Sequence, residues 1–226
     1  MTGVQKMLPL HGLGSGPDSR KAQLIGERFT TLGYEVALPS ISLLSLEPLP
    51  PKAAVLFVSE EIRASLQGEF VLIGSSFGAF VPNHTPRLLH EEERIRVAKC
   101  VLIASLFDLW DTGGVRLTSD RERVWRKKGT FPIIDLGKER EVPVQSRFVE
   151  EPRELPAVPI SYEVSTLVVH GARDEAAPVS QSRQFSSARP WGRLETFEDN
   201  HQLLKDSGGL LKVWKGFILS ENRQSS

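Results

Sequence analysis

The chain has 226 residues, and its 28 Lys and Arg balance 28 Asp and Glu, so the basic stripe of a dedicated nucleic-acid binder is absent. Hydrophobic residues at 40% and charged residues at 25% are globular proportions, which excludes disordered and fibrous classes. One cysteine, Cys100, cannot form an internal disulfide, which excludes a disulfide-stapled secreted scaffold. The first ten residues hold no apolar signal core, and no stretch approaches ~18 uninterrupted apolar residues, so a cytoplasmic protein without a membrane span is expected. The length suits one α/β domain carrying an insertion.

In chain order, residues 4–10 are a short apolar run ending at His11-Gly12 and read as a strand. A glycine-rich loop leads to a helix over 19–32, with Ala22, Ile25, Phe29 and Leu32 on one stripe. Asp18 or Ser19 can cap that helix, and Gly33 stands where a C′ glycine belongs. Residues 34–38 form the next strand, stopped by Pro39, and 40–50 is a Pro/Ser/Leu-rich loop. Pro51 opens a helix to about residue 67, with Val55, Val58, Ile62 and Leu66 inward and Gly68 ending it.

Residues 70–73, 99–104 and 166–170 are apolar strands, and 193–197 is an edge strand. Leu210, Leu211, Trp214, Phe217 and Ile218 mark the last helix. Continuous apolar strands alternating with amphipathic helices predict an α/β fold with a mostly parallel central sheet covered on both faces. The charge runs at 91–94 and 121–128 read as solvated helix faces. Residues 105–163 show no clear sheet strand but hold Trp110, Trp125, Phe131 and Phe148. They predict a lid-like insertion over one end of the sheet, within a single domain spanning 1–226; a long irregular connection is the alternative.

Chemistry concentrates at Gly74-Ser75-Ser76-Phe77-Gly78, a G-x-S-x-G pattern directly after an apolar strand. A tight strand-to-helix turn there would lift the Ser76 hydroxyl above the carboxyl end of the sheet. A glycine-rich turn without chemistry is the plain alternative. A serine nucleophile needs a base, and the base needs an orienting acid. Asp174 and His201 each follow an apolar strand, in the order serine, acid, histidine. Asp108 and Glu175 are rivals for the acid. His84 and His90 lack a strand-end placement, His170 before Gly171 suits turn packing, and Asp199 shapes the loop beside His201. An oxyanion hole needs two preorganised N–H donors: Phe77 follows the nucleophile, and Leu13 is the candidate in the loop after the first strand.

That loop, with Gly12, Gly14 and Gly16, is G-x-G-x-G rather than a dinucleotide fingerprint, and the second strand ends at Leu38-Pro39 without an acidic residue. The metal-site spacings H-x-x-x-H and C-x-x-C are absent, so no metal and no organic cofactor is expected.

His11-Gly12 with Pro17 and Ser19, then IGSSFGAF, HGARDEAAPV and NHQLL, together resemble the α/β-hydrolase superfamily. The closer likeness is to its small esterase members, the bacterial YqiA-type group. The resemblance spans residues 11 to 204, with little from 105–163. It implies the α/β-hydrolase fold and a serine hydrolase with Ser76 as nucleophile, Asp174 as acid and His201 as base. It also implies Leu13 and Phe77 as oxyanion donors. A small-molecule carboxylic ester is the expected substrate, with Phe107 and Trp110 contacting it. Thioesterase, acyltransferase or amidase chemistry on the same triad, and a non-catalytic hydrolase-fold binding protein, are the alternatives. Such enzymes usually continue a long helix after the nucleophile. Here Pro82 and Pro86 interrupt it, so the helix is either short and restarts after Pro86, or holds Pro82 in its first turns.

Overall fold

The computed structural model describes residues 5–41, 49–107, 119–135, 140–154 and 163–220. Six strands build one sheet: β1 (Gln5–Leu10), β2 (Glu35–Val36), β3 (Glu69–Ser75), β4 (Val97–Ile103), β7 (Ser165–Gly171) and β8 (Gly192–Phe197), in the order β2-β1-β3-β4-β7-β8. Every pairing in it is parallel. Parallel neighbours require crossovers. These are supplied by α1 (Arg20–Thr30), α2 (Pro51–Ala64), α3 (Phe77–His84) with α4 (Glu91–Arg94), and α7 (Val179–Ser187); α8 (Ser207–Ile218) closes the chain.

Alternation along the strands divides the core in two. Leu8, Leu10, Phe70, Leu72, Leu102 and Val168 meet α2, α3 and α7, through Val55, Val58, Ile62, Phe80 and Phe185. Met7, Val71, Ile73, Val101, Leu167 and Val169 meet α1 and α8 on the other face, through Ile25, Phe29, Leu210 and Trp214. Both faces are thus dry, and the sheet edges are the short β2 and the expected edge strand β8. Among the described residues no helix is long and apolar enough to cross a membrane.

The helices start where the local chemistry supplies a start. Ser19 caps α1, accepting from the Ala22 N–H at 3.4 Å, and Gly33 follows with φ +88°. Pro51 is the first residue of α2. That helix ends earlier than its apolar stripe predicts: Ser65 turns extended, and Leu66, expected inward, is 94% exposed. A buried lysine on β4, Lys99, donates to the carbonyls of Phe217 at 2.8 Å and Ile218 at 3.0 Å, docking the end of α8 on the sheet.

Between β4 and β7 the chain does contain strands, contrary to expectation. α5 (Ser119–Lys128) leads into an antiparallel ribbon, β5 (Thr130–Asp135) with β6 (Arg140–Gln145), followed by α6 (Arg147–Glu154). Pro132 faces Pro143 across this ribbon, and such prolines hide a strand from a sequence pattern. A two-stranded ribbon has outward-facing edges on both sides, where a missing N–H is tolerated. Trp125, Val144 and Phe148 are buried in the same cluster as α2 and α3. The Trp125 indole donates to the Val144 carbonyl at 2.8 Å.

Pro82 lies inside α3, so both halves of the alternative at this helix apply in part. The helix is eight residues long, a 3-10 turn over Thr85–Arg87 follows, and α4 restarts the chain. The Thr85 hydroxyl donates to the Val81 carbonyl at 2.9 Å and closes the short helix.

Candidate active site

Ser76 sits between β3 and α3 with φ +56° and ψ −121°, a conformation that costs a non-glycine residue about 1–3 kcal/mol. The surrounding backbone holds it there. The Ser76 N–H donates to Ile103 O at 2.8 Å, and its carbonyl accepts from the Ala79 N–H at 3.0 Å. Both flanking glycines are required by space. A Cβ on Gly74 would press on the Gly78 carbonyl and Ala79 Cα, and one on Gly78 would press on the carbonyls of Leu10 and His11. The strand β1 loop and the Ser76 turn are therefore in direct backbone contact. The order β2-β1-β3 makes this the point where the chain's winding direction reverses, the usual crevice of open α/β sheets.

Ser76 Oγ lies 3.0 Å from His201 Nε2, and His201 Nδ1 lies 2.8 Å from Asp174 Oδ2. Asp174 is fully buried at its side chain and His201 is 17% exposed, so the acid end is dry and the serine end opens toward solvent. The carboxylate can only accept, so His201 carries its proton on Nδ1 and turns a lone pair on Nε2 toward the serine hydroxyl. Asp174 Oδ1 accepts from the N–H groups of Ala176 at 2.9 Å and Ala177 at 2.8 Å. Burial works against ionising Asp174, but hydrogen bonds from His170, His201 and the Ala177 N–H outweigh it and hold the carboxyl well below the usual carboxylate range. Gly171 makes the loop approach possible: a Cβ there would stand 2.5 Å from the carbonyl oxygens of Asp199 and Asn200, immediately before His201.

Two backbone segments meet at this turn. Phe77 opens α3, so its N–H has no acceptor within the helix. In the β1–α1 loop, a Cβ on Gly12 would lie 3.1 Å from Ser76 Cβ and 3.7 Å from Ser76 Oγ, which places Gly12 beside Ser76. His11 sets the orientation of the peptide between Gly12 and Leu13. Its Nε2 accepts from the Ile41 N–H at 3.1 Å, so its Nδ1 carries the proton donated to Gly12 O at 3.0 Å. In a trans peptide the Leu13 N–H points opposite to that tied carbonyl.

Of the remaining residues singled out in the sequence, Phe107 follows the carboxyl end of β4, with its ring 4.3 Å from Phe185 and its N–H donating to Gln181 Oε1 at 3.2 Å. Trp110 and Asp108 lie outside the described residues. Glu175 is exposed, His90 caps α4, and His84, the last residue of α3, is buried with its ring 4.0 Å from Phe80. Asp199 accepts from the N–H groups of Asn200 at 2.8 Å and Lys205 at 2.9 Å, which shapes the loop carrying His201.

Sequence reasoning passed over three residues here. His170 reads as turn packing and His11 only as the start of the loop after the first strand, because the partner of a ring nitrogen leaves no periodic signal. Lys21, on α1, lies near enough to feel the Asp174 and Asp199 carboxylates; burial pushes its ammonium down to about 8 against their pull. Among the described residues no group of three or more His, Cys, Asp or Glu side chains is placed to hold a metal ion.

The chain matches UPF0227, described as an uncharacterised protein family, over residues 6–208 and belongs to that family. No curated protein matches it. Solved structures share its fold. Alpha/beta hydrolase domain-containing protein 10 from mouse is 18% identical with a TM-score of 0.74, covering 94% of this chain and 89% of its own. An esterase from Exiguobacterium antarcticum is 15% identical with a TM-score of 0.70, covering 97% and 94%. A monoacylglycerol lipase from Paleococcus ferrophilus is 13% identical with a TM-score of 0.71, covering 96% of each chain. The architecture is the α/β-hydrolase fold.

Proposed function

We propose that this member of the UPF0227 family is a serine hydrolase that cleaves a carboxylic ester through an acyl-enzyme. One observation carries the reading: the continuous hydrogen-bonded line from Ser76 Oγ through the His201 ring to the buried Asp174 carboxylate, at 3.0 and 2.8 Å, on a serine held at positive φ. Such a turn is maintained against its backbone cost when the hydroxyl must project free of its neighbours. The esterase and the lipase among the solved structures lend the reading support through the shared fold.

In this mechanism Ser76 Oγ attacks the ester carbonyl as its proton passes to His201 Nε2. Asp174 fixes the ring tautomer and stabilises the imidazolium. The Leu13 and Phe77 N–H groups donate to the developing oxyanion, a pair of donors of the kind worth about 3–4 kcal/mol each in the transition state. Collapse expels the alcohol, which takes the proton from His201, and a water molecule then attacks the acyl-enzyme by the same route. Residues 105–163 serve as a lid, with Phe107 and Trp110 contacting substrate. The Phe148 ring of α6 packs 4.6 Å from the ring of Phe77, which supports a link between the insertion and the oxyanion residue.

The test is hydrolysis of p-nitrophenyl acetate and butyrate by the purified chain beside Ser76→Ala, with fluorophosphonate labelling of both. Turnover and labelling in the parent, lost together in the variant, are expected. Equal turnover in both would refute the assignment. Thioester and amide panels then place the acyl chemistry.

A further inference from the structure

His201 is not the only imidazole on the Asp174 carboxylate. His170, the penultimate residue of β7 and fully buried, places Nε2 at 3.2 Å from Asp174 Oδ2 and 2.9 Å from the Ala177 carbonyl. Both neighbours are acceptors, so Nε2 carries a proton. On the other side of the ring, Nδ1 lies 2.6 Å from the hydroxyl of Ser182, a fully buried residue of α7. In the neutral ring that hydroxyl donates to Nδ1 and holds the tautomer in which Nε2–H faces the acid.

The carboxylate is thereby fully engaged. Oδ2 takes the His201 Nδ1–H and lies 3.2 Å from the His170 Nε2–H, which it shares with the Ala177 carbonyl, and Oδ1 takes two backbone N–H groups. With donors on both oxygens, the plane of the carboxylate cannot turn, and the charge it presents to His201 is shared with a second donor.

We propose that Ser182 and His170 form a positioning pair for the acid of the site: Ser182 sets the His170 tautomer, and His170 locks Asp174 Oδ2 toward His201 and tempers its charge. This rests on reading Ser76, His201 and Asp174 as the reacting line. It assigns function to a histidine that the sequence presents only as turn packing. Other charged groups near the carboxylate are Lys21 on α1, and Asp199 in the loop carrying His201. Both stay in place when His170 or Ser182 is changed, so a difference between parent and variant belongs to the pair.

Removing His170 leaves Asp174 with one donor fewer. Its full charge then bears on His201 and favours the imidazolium, which is inactive as a base. The acid limb of kcat/KM therefore moves to higher pH, while the freed carboxylate lowers kcat. A residue that only packs the turn would lower stability or activity without moving the limb.

The experiment compares the parent, His170→Leu, His170→Gln and Ser182→Ala in p-nitrophenyl butyrate hydrolysis across the acid limb, with the fluorophosphonate labelling rate as a second readout. For His170→Leu we expect kcat to fall roughly tenfold or more, KM to stay within about twofold, and the acid limb to rise by several tenths of a pH unit. His170→Gln, whose amide can still donate to Asp174, should recover much of kcat and return the limb toward the parent. Ser182→Ala should shift the limb in the same direction by less, and it decides the matter if His170→Leu does not fold. An unmoved acid limb in Ser182→Ala and in whichever His170 variants fold would overturn the positioning role. A parent inert to both ester and fluorophosphonate would instead overturn the reading of the reacting line, and the pair's role with it.

Discussion

Truncating Phe148 to alanine tests whether the segment between β4 and β7 is part of the folded core or merely rests on it. Phe148 is 6% exposed, and its ring meets that of Phe77, the residue directly after Ser76, at 4.6 Å and a tilt of 51°. Removing a buried phenylalanine ring costs about 3–5 kcal/mol in a rigid core, of which the ring pair accounts for about 0.5–1.5 kcal/mol. The site lies at a junction between α6 and α3 and can partly collapse, so the low end, about 3 kcal/mol, is the expected loss. If the chain unfolds as one unit, a urea slope of about 2 kcal/mol per molar turns this into a midpoint lower by about 1.5 M. If this segment opens by itself, its opening becomes roughly a hundredfold more frequent, and tryptic cleavage after the exposed Arg126, Lys127 and Lys128 accelerates accordingly. Urea denaturation and timed trypsin digestion read the two cases. A midpoint and a nicking rate both equal to the parent's would refute a coupling through Phe148 between this segment and the Ser76 turn.

Two further changes probe the site and its surroundings. In Gly171→Ala the new methyl would stand 2.5 Å from the carbonyl oxygens of Asp199 and Asn200, so the loop must retreat by about 1 Å and draw His201 away from Ser76. A kcat lower by about a hundredfold, with far-UV circular dichroism preserved, is expected, and a parental kcat would contradict the close approach. His84 is pushed down to about 3 from its ordinary 6.5, by burial and then by the Arg87 guanidinium. The unfolded chain therefore takes up a proton that the folded chain refuses, so this contribution to stability is complete above 6.5 and declines as pH falls toward 3. Against the parent, His84→Leu should gain in relative urea midpoint between pH 7 and pH 4.5, and a difference that does not change with pH would show that His84 carries none of the acid sensitivity.

Much of this protein is legible in its sequence, and for identifiable reasons. Strands buried on both faces must be continuous apolar runs, so β3, β4 and β7 announce themselves. A turn as crowded as that at Ser76 leaves no space for a Cβ at residues 74 and 78, so the two glycines are visible beforehand. The order of serine, acid and histidine follows the order of the strands that carry them, which is a property of the chain. Other features need contacts that no local pattern encodes. The prolines of β5 and β6 mask a ribbon whose strands pair with each other and not with the central sheet. The early end of α2 turns Leu66 outward although its spacing continues the apolar stripe. The junction of Phe148 with Phe77 joins residues 71 positions apart, and the distance between Ser76 and His201 joins residues 125 apart. Above all, the use made of His11 and His170 depends on which acceptor each ring nitrogen meets. A sequence states that a histidine is present; only the folded backbone, by placing Gly12 O, Ile41 N, Ala177 O and the Asp174 carboxylate around those rings, decides which nitrogen holds the proton and what it is given to.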